Sequence, residues 1–240
     1  MMIDVHLRKI RARDTISAEE ERAIRSLVSE VVEWPKDRTV IRHGQELNQS
    51  TLLLDGWMAR AKDLPNGQRQ IAEINLPGDF VDLHGFTLKR LDHDIMTVTR
   101  CRVGLVPHER LVEITEKWPH LTRLYWFNTN LDAAIHREWT LSLGRRSAIA
   151  RLAHLLLELN VRLGITGLAQ HNMYDFPLTQ IELGECLGLT SVHVNRTLQE
   201  LRRQGLVDLQ NRRVTIHDVA ALQNVAEFDD DYLYLDKRSR

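Results

Sequence analysis

The sequence predicts an α+β fold: an N-terminal antiparallel β-roll of jelly-roll type, one long helix, and a C-terminal pair of short helices followed by a two-stranded hairpin. Three observations predict it. Between Val31 and Val106 short apolar runs alternate with turn residues, at the interval of about ten residues expected of an antiparallel roll or barrel. After Pro119, the residues Leu121, Leu124, Leu131, Ile135 and Trp139 recur at spacings of three, four and seven, which a helix gathers onto one side. From Thr179 onward apolar residues follow helical spacing twice, on either side of Gly188.

Taken in order, Ser17-Ala18-Glu19-Glu20 has the Ser-x-x-Glu form of a capping box, and Ile24, Leu27 and Val28 supply the apolar face of the helix it opens. The expected strands are Val31–Trp34, Thr39–Ile41, Leu52–Leu54, Trp57–Ala61, Arg69–Leu76, and a pair covering Thr97–Val98 and Val103–Val106. Asp55-Gly56, Pro65-Asn66-Gly67 and Pro77-Gly78-Asp79 punctuate them as turns. The long helix runs from Pro119 to about Leu143, and its single stripe reads as a dimerisation seam. The competing reading is that this stripe packs on the roll. Ser147 to Leu163 forms a further amphipathic helix through Ile149, Leu152, Leu155, Leu156 and Leu159, and Asp218 caps a last one, Val219 to Val225. Domain boundaries follow: 1–118 for the roll, 119–144 for the long helix, 145–228 for the C-terminal domain, and 229–240, with Asp229-Asp230-Asp231, for a mobile tail.

The C-terminal domain carries the chemistry. Ile181, Leu183, Leu187 and Leu189 precede Val194, Leu198 and Leu201. Gly188 suits the left-handed end of one helix, and Thr190 suits the N-cap of the next. Two short helices joined in this way make a helix-turn-helix, whose second helix enters the DNA major groove. An ordinary helical hairpin would leave two features unexplained. Leu206–Leu209 and Arg213–Ile216 flank a polar Gln210-Asn211-Arg212 turn, as in the wing of a winged helix. The open face of the second helix also shows Ser191, His193, Asn195, Arg196, Gln199, Arg202 and Arg203 with only Glu200 as an acid, where a solvated face mixes signs. Candidate DNA contacts are therefore Thr179, Gln180, Thr190, Ser191, Val192, His193, Asn195, Arg196, Gln199 and Arg212.

Composition narrows the classes. With 240 residues, 43% hydrophobic and 27% charged, the chain has room for two globular domains. Its net charge is −1, but residues 145–217 hold nine Lys/Arg against six Asp/Glu. Phosphate attraction is then moderate, and base readout and dimerisation must supply much of the affinity. No secretory signal is expected from residues 1–14, which Asp4, Arg8, Lys9, Arg11 and Arg13 interrupt. The longest run free of Asp, Glu, Lys and Arg is Leu163–Tyr174, short of the roughly 20 residues of a membrane span. A cytoplasmic protein with no membrane contact is expected. Cys101 and Cys186 read as free thiols, too few for an iron–sulfur cluster, which takes about four. No Gly-rich phosphate loop, His-Glu-x-x-His or nucleophile elbow is present, so no enzyme is expected.

The order of roll, long helix and winged helix-turn-helix resembles the Crp/Fnr superfamily of bacterial transcription regulators. The residues that carry the resemblance are Leu54-Asp55-Gly56, Asn66-Gly67, Leu76-Pro77-Gly78-Asp79-Phe80 and Cys101-Arg102-Val103 in the roll. In the C-terminal domain they are Leu178-Thr179-Gln180-Ile181, Leu187-Gly188-Leu189-Thr190, Val194-Asn195-Arg196-Thr197-Leu198 and Leu201-Arg202-Arg203-Gln204-Gly205-Leu206. The resemblance implies a cyclic-nucleotide-binding-like sensory roll, a homodimer, a palindromic operator in double-stranded DNA, and RNA polymerase as a partner, with a small-molecule effector open.

Two departures modify what it implies. Cyclic-nucleotide-binding members carry a Glu for the ribose and an Arg for the phosphate after the Pro-Gly-Asp-Phe turn; here Asp82-Leu83 and Leu91-Asp92 stand in those places. A phosphate meeting Asp82 and Asp92 without an arginine would face a repulsion of about 4 kcal/mol for one such pair, so ordinary cyclic AMP recognition is not expected from this degenerate pocket. Lys89 and Arg90 are the alternative cations for a phosphate. In the second helix, Ser191-Val192 replaces the common Arg-Glu and Asn195 precedes Arg196. Arg196 still suits guanine and Val192 a thymine methyl, so the half-site departs from the family's usual one. His84, His93 and His108 invite a haem or metal reading, since haem-sensing relatives exist, but they lack ligand spacing; neither cofactor nor metal is expected. A ligand-binding or protein-interaction module with a vestigial helix-turn-helix is the alternative function, and Arg196 with the pairs Arg202-Arg203 and Arg212-Arg213 speaks against it.

Overall fold

The computed structural model describes residues 3–240. Two compact units result: residues up to Lys62, 73–133 and 234–240 form the first, and residues 63–72 and 134–233 the second.

The first unit opens with α1 (Asp4–Arg11), which no cap or periodicity in the sequence announces, and α2 (Ala18–Arg25), whose Ser17 and Glu20 form the expected capping box. The strands follow: β1 (Glu30–Trp34), β2 (Thr39–Ile41), β3 (Gln49–Asp55), β4 (Met58–Asp63) and β5 (Arg69–Asn75). After a helical turn α3 (Gly85–Leu88) come β6 (Asp94–Thr97) and β7 (Cys101–Pro107). They form two sheets, ordered β1-β7-β3 and β2-β6-β4-β5. Alternation along β3 divides the apolar run between two cores. Leu52 and Leu54 join Ile3, Leu7, Ile24 and Leu124 under the helices, whereas Leu53 joins Met58, Val81, Leu91, Ile95 and Val103 inside the roll.

α4 (His108–Lys117) and α5 (Pro119–Arg145) follow. α4 carries no clear apolar periodicity in the sequence, because its charged residues outnumber its apolar ones. The stripe assigned to a dimer seam is a correction: Leu121, Leu124, Leu131, Ile135 and Trp139 are 0–8% exposed within the single chain. Periodicity reveals that a helix has an apolar face and is silent on what covers it, and here the chain itself covers it. The outward face of α5 is a different stripe, Arg123, Trp126, Asn130, Ala133, Arg137, Thr140 and Gly144, at alternating spacings of three and four.

Charge is buried in the roll. Arg60, 3% exposed, donates to Glu73 Oε2 at 2.6 Å, to Asp132 Oδ2 at 2.9 Å and to the Val81 carbonyl at 2.8 Å. These bonds join β4, β5, the turn after Phe80 and α5. The terminal segment, expected to be mobile, is packed as well. Arg240 lies 3.7 Å from the centre of the Phe127 ring and donates to the Arg13 carbonyl, and Tyr234 meets the edge of Phe127. Aromatic anchors outweigh the run of acids that suggested a free tail.

In the second unit α5 leads to α6 (Ala148–Thr166), capped by Ser147. Next come β8 (Ala169–Gln170), β9 (Met173–Asp175), α7 (Gln180–Leu187), α8 (Ser191–Arg203), β10 (Val207–Gln210), β11 (Arg213–Ile216) and α9 (Val219–Ala226), the last capped by Asp218. The hairpin β10–β11 is extended by β9 and β8 into a four-stranded sheet. Buried Glu158 of α6 accepts from Trp139 Nε1, Arg162 and the Tyr232 hydroxyl, and the neighbouring Leu233 is fully buried.

One contact in the first unit makes stability depend on pH. His120 of α5 holds Glu20 at 2.6 Å and Asp14 at 3.2 Å. Burial lowers the His120 pKa, but the hydrogen bonds to these two carboxylates outweigh it and the net shift is upward. The stabilisation is therefore complete below the unfolded value of 6.5 and is lost as pH rises through the folded one. His120→Gln should flatten the fall in melting temperature between neutral and alkaline pH, removing about 1 kcal/mol at most for a partly solvated pair. Parallel thermal melts of both proteins across that range measure it; coincident slopes would show that His120 does not titrate with folding.

Candidate nucleic-acid interface

Local rules build the interface. Thr179 caps α7, accepting from Glu182 N–H while the Glu182 side chain accepts from Thr179 N–H at 2.7 Å. α7 ends at Gly188, whose φ of +64° is left-handed, and the Leu189 N–H bonds back to the Gly184 carbonyl at 2.9 Å. Thr190 then caps α8 by accepting from His193 N–H. Val194, Thr197 and Leu201 turn inward, which leaves the opposite side of α8 in solvent.

Most of the expected contact residues meet on that side. Gln180, Ser191, Val192, Asn195, Arg196 and Gln199 line one shallow groove. Val192 is 70% exposed, an apolar side chain with nothing of its own chain to cover it. His193 lies beside this group on the exposed first turn of α8, and its carbonyl accepts from the Thr197 hydroxyl. Arg212 is at the tip of the hairpin, where Asn211 and Arg212 have φ of +51° and +58°, the two left-handed residues of a type I′ turn. Ile181, expected to pack inward, is instead 66% exposed.

The basic residues divide by what they hold. Arg202 is tied to Asp208 at 2.9 Å, Arg203 to Glu200 at 2.6 Å and Arg213 to Asp175 at 3.1 Å. Among the described residues Arg196 and Arg212 form no ion pair, and both are exposed. The pairs counted from the sequence as four extra cations beside Arg196 thus reduce to one, Arg212, without an internal anion. The combination of a groove with hydrogen-bonding side chains, one apolar contact and two uncompensated guanidinium groups suits a polyanion with readable edges.

The residues assigned to a degenerate ligand pocket do not share one. Asp82 is fully buried and accepts from Thr51 N–H at 2.5 Å; burial pushes its carboxyl up to about 7. Leu83 and Leu91 belong to the two cores. Asp92 is on the surface with Lys62 at 2.6 Å and His93 at 2.9 Å. The expectation that a phosphate would meet Asp82 and Asp92 together is corrected by this separation: an alignment places residues along a chain, and only packing decides which enter the core. Of the three histidines, one stands apart from the other two. His108 faces Ser50 and Phe86, whereas the rings of His84 and His93 stand 5.2 Å apart. With a buried acid and two core leucines where an ester phosphate would need donors, cyclic AMP and cyclic GMP should give no heat on titration; calorimetry returning low-micromolar dissociation constants would overturn this.

Comparison with known proteins agrees with this geometry. Residues 150–225 match the family model of the Crp-like helix-turn-helix domain, and residues 31–117 that of the cyclic nucleotide-binding domain. The transcriptional activator protein FnrL of Cereibacter sphaeroides is 31% identical over 200 residues, spanning 81% of this chain and 79% of its own. The nitrogen fixation regulation protein FixK of Bradyrhizobium diazoefficiens is 30% identical, spanning 72% of each. Among solved structures, FixK2 from Bradyrhizobium japonicum superposes with a TM-score of 0.76 at 26% identity, over 83% of this chain and 98% of that one.

Proposed function

This chain belongs to the Crp/Fnr family of DNA-binding transcription regulators, and we propose that it works as a homodimer reading a two-fold symmetric operator through α8. The observation that carries the reading is the groove of Gln180, Ser191, Val192, Asn195, Arg196 and Gln199 beside an unpaired Arg196. Arg196 is the sixth residue of α8, near enough to its N-terminal end to reach base edges when the helix enters the major groove. Its planar fork suits the O6 and N7 acceptors of guanine. Val192 presents methyls to a thymine methyl, while Ser191, Asn195 and Gln199 offer donors and acceptors to the neighbouring pairs. Thr179, Gln180, Thr190 and Arg212 are assigned to the phosphate backbone and its flanks, where contacts set orientation, while His193 adds a donor and an acceptor for the bases.

The dimer brings two copies of α8 to successive major grooves, with half-sites about 34 Å apart. A second copy of this chain is the partner assigned to the outward stripe of α5. Its alternating three–four spacing is that of a coiled-coil seam, and Trp126, 67% exposed, is its one large apolar residue. FnrL is named a transcriptional activator; contact with RNA polymerase and response to a small-molecule effector belong to the same proposal for this chain. Among the described residues no helix is long and apolar enough to cross a membrane, and on this reading the protein works in the cytoplasm.

Two experiments test the proposal. Arg196→Ala should cost roughly 1–3 kcal/mol per half-site on a selected operator and relax preference at one guanine in each half. Arg212→Ala should weaken every sequence alike and reduce the slope of affinity against salt by about one unit per half-site. Binding titrations on specific and random duplex separate the two, and equal losses on both from Arg196→Ala would make it a mere anchor. Sedimentation tests the seam: Trp126→Glu with Ala133→Glu should give folded monomers at micromolar concentration, because neither side chain is needed inside the chain. A wild type already monomeric there would remove α5 as the seam.

A further inference from the structure

The hairpin between β4 and β5 holds the reading motif from outside it. Residues 63–72 belong to the same compact unit as α7 and α8. The hairpin is braced: Arg69 grips Asp63 through Nε at 2.7 Å and Nη2 at 2.8 Å, and Leu64 N–H donates to the Gln68 carbonyl at 2.8 Å. Beside Arg69, half-buried Gln70 donates from Nε2 to the Glu185 carbonyl at 2.7 Å and to the Cys186 carbonyl at 3.3 Å. Both acceptors lie in the last turn of α7, where carbonyls find no N–H further along the helix. The amide orientation follows from its partners, since carbonyl oxygens only accept and the nitrogen must face them. The neighbouring carbonyls are taken as well. Gly184 accepts from Gly188 and Leu189 N–H, and Leu187 accepts from Arg151 Nη1 at 2.9 Å. The end of α7 is thus closed by its own turn, by α6 and by the hairpin.

We propose that Gln70 is a positioning residue for DNA reading, which fixes the α7–α8 turn and so the presentation of α8. The inference rests on the reading of α8 as the helix that contacts bases. Its physical content is preorganisation. Leu189 follows the clamped carbonyls within a few residues, and Thr190, next in the chain, caps α8. Without the Gln70 donor the two carbonyls turn to water, and the turn samples orientations in which α8 is not presented as an operator needs. Apparent affinity falls with the fraction of molecules in the competent state. An operator read at its base edges depends on that fraction, whereas random duplex held through phosphates depends on it less. The requirement is for a donor. A glutamate of nearly the same size only accepts, and would set a negative charge against two carbonyl oxygens.

The experiment combines duplex binding with amide hydrogen exchange on the full-length chain. Gln70→Ala should lose about 2–10-fold in affinity for a selected operator, the range of one net hydrogen bond, and less on random duplex. Gln70→Glu should lose more than Gln70→Ala. Without DNA, the Leu189 N–H should exchange faster in both variants while the amides of α6 keep their wild-type rates. Melting curves report folding; should Gln70→Ala not fold, Gln70→Asn, whose amide falls one methylene short, decides in its place. Wild-type exchange at Leu189 in these variants would overturn the clamp. Faster exchange with an unchanged preference for operator over random duplex would overturn its part in reading. Equal losses on both duplexes would make Gln70 a plain DNA contact and overturn the positioning role as well. A wild type with no preference for any operator would instead remove the reading of α8, and Gln70's part in it, while exchange at Leu189 still measured the clamp.

Discussion

The close approach of two backbones at the α7–α8 turn sets the geometry on which the reading surface depends. A Cβ at position 184 would fall on the carbonyl oxygen of Leu189, so only glycine lets the incoming chain pass this near to α7. The reward is the Leu189 N–H bond to the Gly184 carbonyl, which closes the turn and aims Thr190 as a cap. Val194 then seats under α7 while Val192, two residues earlier, is left in water. A helix rotated by one residue would bury Asn195 and lift Val194 into solvent. The turn therefore decides which side chains of α8 are available to a duplex, before any charge is counted.

How far this was legible in the sequence depends on the range over which each feature is determined. Caps act over three residues, and Ser17, Ser147, Thr190 and Asp218 all begin the helices their neighbours suggested. The wing hairpin and most strands of the roll were legible for the same reason, since alternation and turn residues are local, but the strand expected at Thr97–Val98 meets β6 only at Thr97. α1 was hidden because half of its eight residues are charged, and its Leu7 and Ile10 acquire meaning only from the core they enter. β8 and β9 are two and three residues long, below what any periodicity can signal. The groove residues were legible as a set, because exposure on α8 follows from the apolar positions that must turn inward.

What could not be read was destination. Leu131 and Ile135 announced an apolar face, and nothing in their spacing distinguished a partner chain from the chain's own body. Arg202 and Arg203 counted as cations although Asp208 and Glu200 already hold them. Asp82 looked like an acid lining a pocket, yet the shape of the roll closes over it. Each misreading has one origin: a sequence states what a side chain is, and its partners are chosen by elements distant along the chain.

The buried guanidinium of Arg60 shows how such partnerships bear on descent. Arg60 and Glu73 are buried, and loss of one partner of such a pair costs about 3–5 kcal/mol, whereas replacement of the whole group by fitting apolar residues is often neutral; Asp132 is 28% exposed, and its loss costs less. Arg60, Glu73 and Asp132 lie on three different elements, β4, β5 and α5, and no single-nucleotide step alters more than one of them. Lineages that diverge from this chain should keep the trio intact or lack it altogether, with intermediates rare. Arg60, Glu73 and Asp132 would then be inherited as one character, although as many as 72 residues separate them.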